Sequence, residues 1–342
     1  MIRIAVIGCG YWGPNLVRNF AELAETRVET ICDLRQDSLA RLLARYPSIA
    51  PSTDYQSVLD DPLIDAVVIA TPVKTHFELA KRALQAGKHV LVEKPITATS
   101  IEAEQLIEEA QRRDLVLMVD HTFVYTGAVR KIRELVAGGQ IGRCYYYDSV
   151  RINLGLFQHD VSVIWDLAVH DLSIMNYVLS LDPRAVSATG ISHVPGEPEN
   201  LAYLTVFFDD SLIAHIHINW LAPVKVRRTL LGGSQKMIVY DDLEPSEKVK
   251  VYDRGITVNG SAENVYKMLI DYRIGDMWAP RLDTTEALYA EARHFVRCIE
   301  SGERPISDGE SGLKVVQILE AATQSMSDRG RPVELGARRV LV

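Results

Sequence analysis

Up to about residue 120 the chain repeats one pattern: a short apolar run followed by a longer amphipathic one. The runs IRIAVI, RVETIC, DAVVIA, KHVLVE and LVLMV alternate with LVRNFAELA, DSLARLLARY, HFELAKRALQAG and TSIEAEQLIEEAQRR. Strands covered by helices on both faces read as unbroken apolar runs, so the alternation specifies βαβ units around a parallel sheet. Thr99 stands three residues before Glu102, a capping-box spacing, and Gly87 sits where the preceding helix should end.

After residue 120 the rhythm changes. One more helix leads to the Tyr-rich strand CYYYDSVRINL, then a helix through WDLAVHDLSIMNYVL, then several strands in succession. ENLAYLTVFF and SLIAHIHINW flank Asp209-Asp210 as a hairpin would, which implies an antiparallel sheet with helices on one side. At 342 residues the chain exceeds the size of one core, and the change of rhythm divides it into 1–120 and 121–342. Along the last of these strands Ala214, Ile216, Ile218 and Trp220 form an apolar row that needs cover. His215, His217 and Asn219 share the other face, read as an oligomer or solvent face rather than a metal site. The expectation is a homodimer or homotetramer joined through this sheet, with helices over its other side.

Several classes are excluded early. The net charge of −8 with no large basic block argues against nucleic acid. The cysteines Cys9, Cys32, Cys144 and Cys298 are dispersed, which suggests neither a metal knuckle nor a disulfide framework. No segment reaches the ~18 uninterrupted apolar residues of a membrane span, and the N-terminus passes straight into a strand, so a cytoplasmic protein is expected.

The first run ends in Gly8-Cys9-Gly10-Tyr11-Trp12-Gly13, a G-x-G-x-x-G that opens a helix. Gly8 permits a tight turn, Gly10 lets a pyrophosphate approach the backbone, and Gly13 lets helix pack closely on strand. Asp33 follows the second run, twenty residues after Gly13, where a carboxylate reaches a ribose 2′-hydroxyl. These residues, with Tyr11 and Trp12 between the glycines, are the expected dinucleotide site. Asp33 would repel a 2′-phosphate, which favours NAD over NADP, and Arg35 opposes that preference.

HVLVEKPI, residues 89–96, opens as a buried strand and ends in Glu93, Lys94 and Pro95. A lysine ending such a strand reaches either water or a ligand, because burying its charge alone costs several kcal/mol. Asp166 and His170 stand four apart, on one helix face with Ser173 and Tyr177. That spacing suits a solvated polar stripe as well as a carboxylate and imidazole pair for proton transfer. No partner motif of the H-E-x-x-H kind accompanies it, so no metal is expected.

GCGYWG, ATPVKTH at 70–76, AGKHVLVEKP at 86–95, DLAVHD at 166–171 and the closing SGERPISDGESGLKVVQILEAA resemble the Gfo/Idh/MocA family of dehydrogenases over nearly the whole chain. The resemblance implies a Rossmann dinucleotide-binding domain. It further implies an α/β domain with a large, open, mostly antiparallel sheet that commonly makes the oligomer contact, and NAD(P)-dependent oxidation or reduction of sugars and cyclitols. Lys94, Asp166 and His170 fall on the family's catalytic positions, and Thr71, Pro72, His76 and Glu93 on positions along the cofactor. Tyr125, Arg151, Asn153 and His159 lie on segments expected to face substrate.

Moving a hydride from a sugar carbon requires the hydroxyl proton to leave, so a base and a cation near the developing alkoxide both lower the barrier. His170 is assigned as proton acceptor, Lys94 as the cation and Asp166 as the orienting group, with Lys94 and His170 exchangeable. GYWGPNLVRNF and RINLGLFQHDV resemble the family's nucleotide-sugar 3-dehydrogenase and ketoreductase branches more than its inositol branch. Three readings stand beside this one: a cyclitol dehydrogenase, an enzyme that retains its NAD and oxidises C3 transiently, and a non-catalytic NAD-dependent sensor.

Overall fold

A computed structural model of the chain describes residues 1–155, 161–209, 212–258, 270–273 and 275–336. The first strands are β1 (Ile2–Ile7), β2 (Thr26–Cys32), β3 (Ala50–Ser52), β4 (Ala66–Ile69), β5 (His89–Glu93) and β6 (Leu117–Asp120). All are parallel, in the order β3-β2-β1-β4-β5-β6. Helices α1 (Gly13–Glu22), α2 (Gln36–Leu43), α3 (Tyr55–Asp60), α4 (His76–Gln85) and α5 (Ser100–Arg112) connect them. Every residue of β4 is fully buried, as the apolar run requires. Thr99 and Glu102 form both halves of the expected capping box on α5, and Gly87 takes a positive φ of 77° just beyond α4.

Next come α6 (Gly127–Ala137), β7 (Cys144–Leu154), a π turn at Ile164–Ala168, and α7 (Val169–Leu179). Strands β8 (Pro183–Ile191), β9 (Leu201–Phe208), β10 (Ile213–Asn219), β11 (Leu221–Gly233), β12 (Met237–Asp241), β13 (Val249–Tyr252), β14 (Gly255–Val258), β15 (Ile270–Arg273) and β16 (Met277–Trp278) follow. Helices α8 (Ala287–Ser301) and α9 (Gly309–Ser327) and the short β17 (Val333–Glu334) complete the chain. The second sheet runs β16-β13-β12-β11-β7-β10-β9-β8-β17, antiparallel except between β7 and β10. β9 and β10 pair as the expected hairpin, Phe207 opposite Ile213.

Two compact units emerge, and their boundaries differ from 1–120 and 121–342. The first unit holds Met1–Tyr125 and Thr285–Gln317, the second Thr126–Thr284 and Ile318–Val342. Segment 285–317 belongs to the first unit because its apolar face closes that core. Phe295 packs edge-on against Phe20 at 6.3 Å, Arg18 pairs with Glu286 at 2.5 Å, and Val119 donates its N–H to the Ser307 carbonyl at 2.7 Å.

In the second unit Ala214, Ile216, Ile218 and Trp220 are at most 1 % exposed. The π turn and α7 pack on this side of the sheet, so the apolar row is covered within the unit and is not what a second subunit would meet. His215, His217 and Asn219 lie on the other face, where Tyr203 stacks on His217 at 4.4 Å and is 50 % exposed. Among the described residues no helix is long and apolar enough to cross a membrane.

Candidate active site

β1, β4, β5 and β6 run parallel side by side, so the residues that follow them leave the first sheet at one edge: Gly8, Thr71, Lys94 and His121. Open α/β sheets bind their ligands outside this carboxyl edge. Gly8 has φ +92°, and a Cβ there would stand 2.5 Å from the Ala70 carbonyl oxygen. A Cβ on Gly13 would run into the Gly8 carbonyl oxygen. Both glycines are therefore demanded by the packing of turn, strand and helix. At Gly10 an added Cβ would meet only the Arg35 guanidinium, at 3.5 Å, which leaves that backbone approachable.

Asp33 braces the same loop. Its Oδ2 accepts the Cys9 N–H at 2.7 Å and its Oδ1 the Arg35 N–H at 2.8 Å. A carboxylate has about four acceptor positions, so two remain for a ribose hydroxyl. The Arg35 side chain is 67 % exposed, 3.6 Å from Asp33. Tyr11 is 91 % exposed, whereas Trp12 turns inward and donates its Nε1–H to Asp120 Oδ2 at 2.9 Å. A glycine cradle that side chains would fill, next to an acid with free acceptor positions, fits NAD.

His76 is buried, its Nδ1 2.9 Å from the Pro95 carbonyl oxygen and its Nε2 2.8 Å from that of Thr71. It ties the segment after β4 to the segment after β5, with Pro72 exposed between Thr71 and the turn at Val73–Thr75. Burial, and then the Lys94 charge, hold this imidazole below its usual range. His121, also buried, is pushed down to about 3 for the same two reasons. Lys94 thus stands beside two imidazoles whose charged form is disfavoured. The Glu93 carboxyl is held well above the carboxylate range, first by burial and then by the charge of Asp120.

In the second unit the π turn carries Asp166, whose Oδ2 accepts the Trp220 Nε1–H at 3.2 Å. Single π turns inside helices are frequent at functional sites. His170 lies half-buried in the first turn of α7, and Ser173 donates its hydroxyl to the His170 carbonyl at 2.8 Å.

Two of the expected substrate contacts are buried side chains with partners of their own. Arg151 is 4 % exposed, its Nε on Asp171 Oδ2 at 2.5 Å, and Ser149 donates to Asp171 Oδ1 at 2.5 Å. Through Nε the guanidinium fastens α7 to β7. Tyr125 is 2 % exposed, its hydroxyl 2.9 Å from Ser307 Oγ, inside the core of the first unit. Asn153 stays half-buried on β7, and His159 lies outside the described residues. Sequence reasoning missed Asp120, His121 and Glu291. The first two end a buried strand in the manner of Glu93 and Lys94, and Glu291 interrupts the apolar stripe of Leu288, Ala292 and Phe295, so a signal was present for each.

Comparison with known proteins gives the family. The Gfo/Idh/MocA oxidoreductase family, NAD-binding Rossmann fold, matches residues 2–121, and the Gfo/Idh/MocA C-terminal domain matches residues 129–239. The chain belongs to this family. It is 28 % identical to UDP-N-acetylglucosamine 3-dehydrogenase of Acidithiobacillus ferrooxidans, over 92 % of this chain and 94 % of that one. It is 24 % identical to myo-inositol 2-dehydrogenase of Thermotoga maritima, over 98 % of each. A solved structure of the Acidithiobacillus ferrooxidans enzyme superposes with a TM-score of 0.79 at 26 % identity, covering 95 % of this chain and 97 % of that one. This Gfo/Idh/MocA chain is an NAD-binding oxidoreductase.

Proposed function

We propose that this enzyme transfers a hydride between NAD and a secondary hydroxyl or ketone of a sugar, with a nucleotide sugar as the favoured substrate class. The observation that carries the reading is the shared edge of the first sheet, where the glycine cradle and Lys94 emerge from neighbouring parallel strands. Similarity to a UDP-N-acetylglucosamine 3-dehydrogenase over most of both chains supports the nucleotide sugar and oxidation at C3.

NAD, when bound, supplies the hydride acceptor; the chain's own groups manage the proton and the charge. Lys94 stabilises the alkoxide as it develops, and its ammonium is an effective partner there because His76 and His121 stay neutral around it. His170 takes the hydroxyl proton, since an imidazole titrates close to neutral pH. Asp166, itself oriented by the Trp220 indole, fixes the imidazole and the substrate hydroxyl. The assembly that goes with this reading is a homodimer or homotetramer using the outer face of β9 and β10.

The test is a panel of free sugars, inositols and UDP- and TDP-sugars, followed at the nicotinamide absorbance band. Reduction of NAD by a nucleotide sugar is the expected result. Turnover confined to inositols would move the enzyme to the cyclitol branch.

A further inference from the structure

Three carboxyl groups meet behind the strand ends: Glu93 at the end of β5, Asp120 at the end of β6, and Glu291 on the buried face of α8. Glu93 and Asp120 are register partners, and Glu291 faces Asp120 and Thr122. Among the described residues no group of His, Cys, Asp and Glu is arranged to hold a metal ion, so a cation does not account for the cluster.

The donors can be counted. Asp120 accepts the Trp12 indole N–H at 2.9 Å on Oδ2 and the Thr122 hydroxyl at 2.5 Å on Oδ1. Glu93 Oε2 accepts the Lys94 backbone N–H at 2.9 Å. Glu291 is fully buried, and neither of its oxygens meets a donor. Its polar neighbours are the Asp120 carboxyl and the Thr122 hydroxyl, and that hydroxyl already gives its proton to Asp120. Two ionised carboxylates only accept, so Glu93 beside Asp120, and Glu291 beside Asp120, become bonds only when one member of each pair carries a proton. Give those protons to the two glutamates, and four donors converge on Asp120: indole, hydroxyl and two carboxylic acids. About four is also the acceptor capacity of one carboxylate.

We propose that Glu93, Asp120 and Glu291 form a proton-sharing cluster carrying one negative charge, on Asp120, and that it acts as a positioning element locking Trp12 of the glycine loop to the strand end that presents Lys94. The surrounding groups agree with the assignment. Burial and then the Asp120 charge raise both glutamates, Lys94 opposes this at Glu93, and His121 and His76 contribute no positive charge. Three ionised carboxylates would instead crowd three negative charges around one ammonium in a largely buried site. The positioning half of the proposal rests on Lys94 being the catalytic cation; the protonation half does not.

The experiment is infrared spectroscopy of the full-length enzyme at pH 8, in the band of protonated carboxylic acids, for the wild type and for Glu93→Gln and Glu291→Gln. Each variant should lose part of that band. An unchanged band in both variants overturns the cluster. Steady-state kinetics then read the positioning. Glu291→Leu, which removes the donor, should lose about a hundredfold in kcat with NADH affinity retained, as misplacement of about 1 Å does elsewhere. Glu291→Gln keeps a donor and should restore most of that loss. Should glutamine be as damaging as leucine, Glu291 is ionised and the proposal fails. If Glu291→Leu does not fold, the band and the Glu291→Gln kinetics still decide. Band loss together with a fully active Lys94→Ala would remove the catalytic reading of Lys94 and leave the cluster standing.

Discussion

Arg151→Met removes the guanidinium from the buried pair with Asp171 and keeps much of its volume. Both side chains are at most 4 % exposed, so the Asp171 carboxylate would be left almost dry. Breaking one partner out of such a pair costs about 3–5 kcal/mol. Ser149 still donates to Asp171, which places the expected loss near ~3 kcal/mol, the low end of that range. Asp171 adjoins His170 at the start of α7, so loosening the pair should also lower kcat. Urea unfolding followed by the fluorescence of Trp165, Trp220 and Trp278, all in the second unit, reads the stability directly. Arg151→Met/Asp171→Leu should recover most of the loss, because the uncompensated charge goes with its partner. An unchanged urea midpoint with KM raised more than about tenfold would refute the argument and return Arg151 to the substrate.

The wild type binds NADH more tightly than NADPH, and Asp33→Ser narrows the gap in a fluorescence titration; tighter NADPH binding by the unmodified enzyme would mean Arg35 dominates. Lys94→Ala and His170→Ala each lose at least about a hundredfold in kcat with NADH binding near normal, the double variant falls short of the product, and Asp166→Asn acts more on KM. Glu93 and Glu291 have folded-state pKa values above the ordinary 4.5, so the folded state holds protons that the unfolded chain releases. Their contribution to stability is complete below 4.5 and is lost as pH rises toward the folded values, at about 1.4 kcal/mol per pH unit per proton. Glu291→Gln should flatten the measured slope by about one proton. Light scattering at micromolar concentration should show a dimer or tetramer, and Tyr203→Glu on the outer face should dissociate it.

The parallel sheet was legible because strands buried on both faces have no polar positions to blur them: five of its six strands stand out as apolar runs. β3 and α3 were not, being three and six residues long and mostly exposed. The glycine cradle and Asp33 could be read at residue level, since a backbone that must approach a phosphate tolerates few sequences. Membership of a core could not. An amphipathic helix such as α8 advertises an apolar face without naming what covers it, and contacts such as those with Phe20 and Tyr125 assign it to the first unit. The same limit hid the burial of Arg151, which meets Asp171 twenty residues away on another element, and of Tyr125, whose hydroxyl meets Ser307. A polar side chain on a strand looks the same in sequence whether it meets solvent, substrate or a buried counter-charge.

The most direct test of the central claim is label transfer. A nucleotide sugar deuterated at C3 is incubated with the enzyme and NAD, and the nicotinamide is examined by mass spectrometry. The account expects one deuterium on the nicotinamide with the wild type and transfer at least about a hundredfold slower with Lys94→Ala. Deuterium transfer undiminished in Lys94→Ala, or a product formed by the wild type while the label stays on the sugar or passes to water, would contradict it.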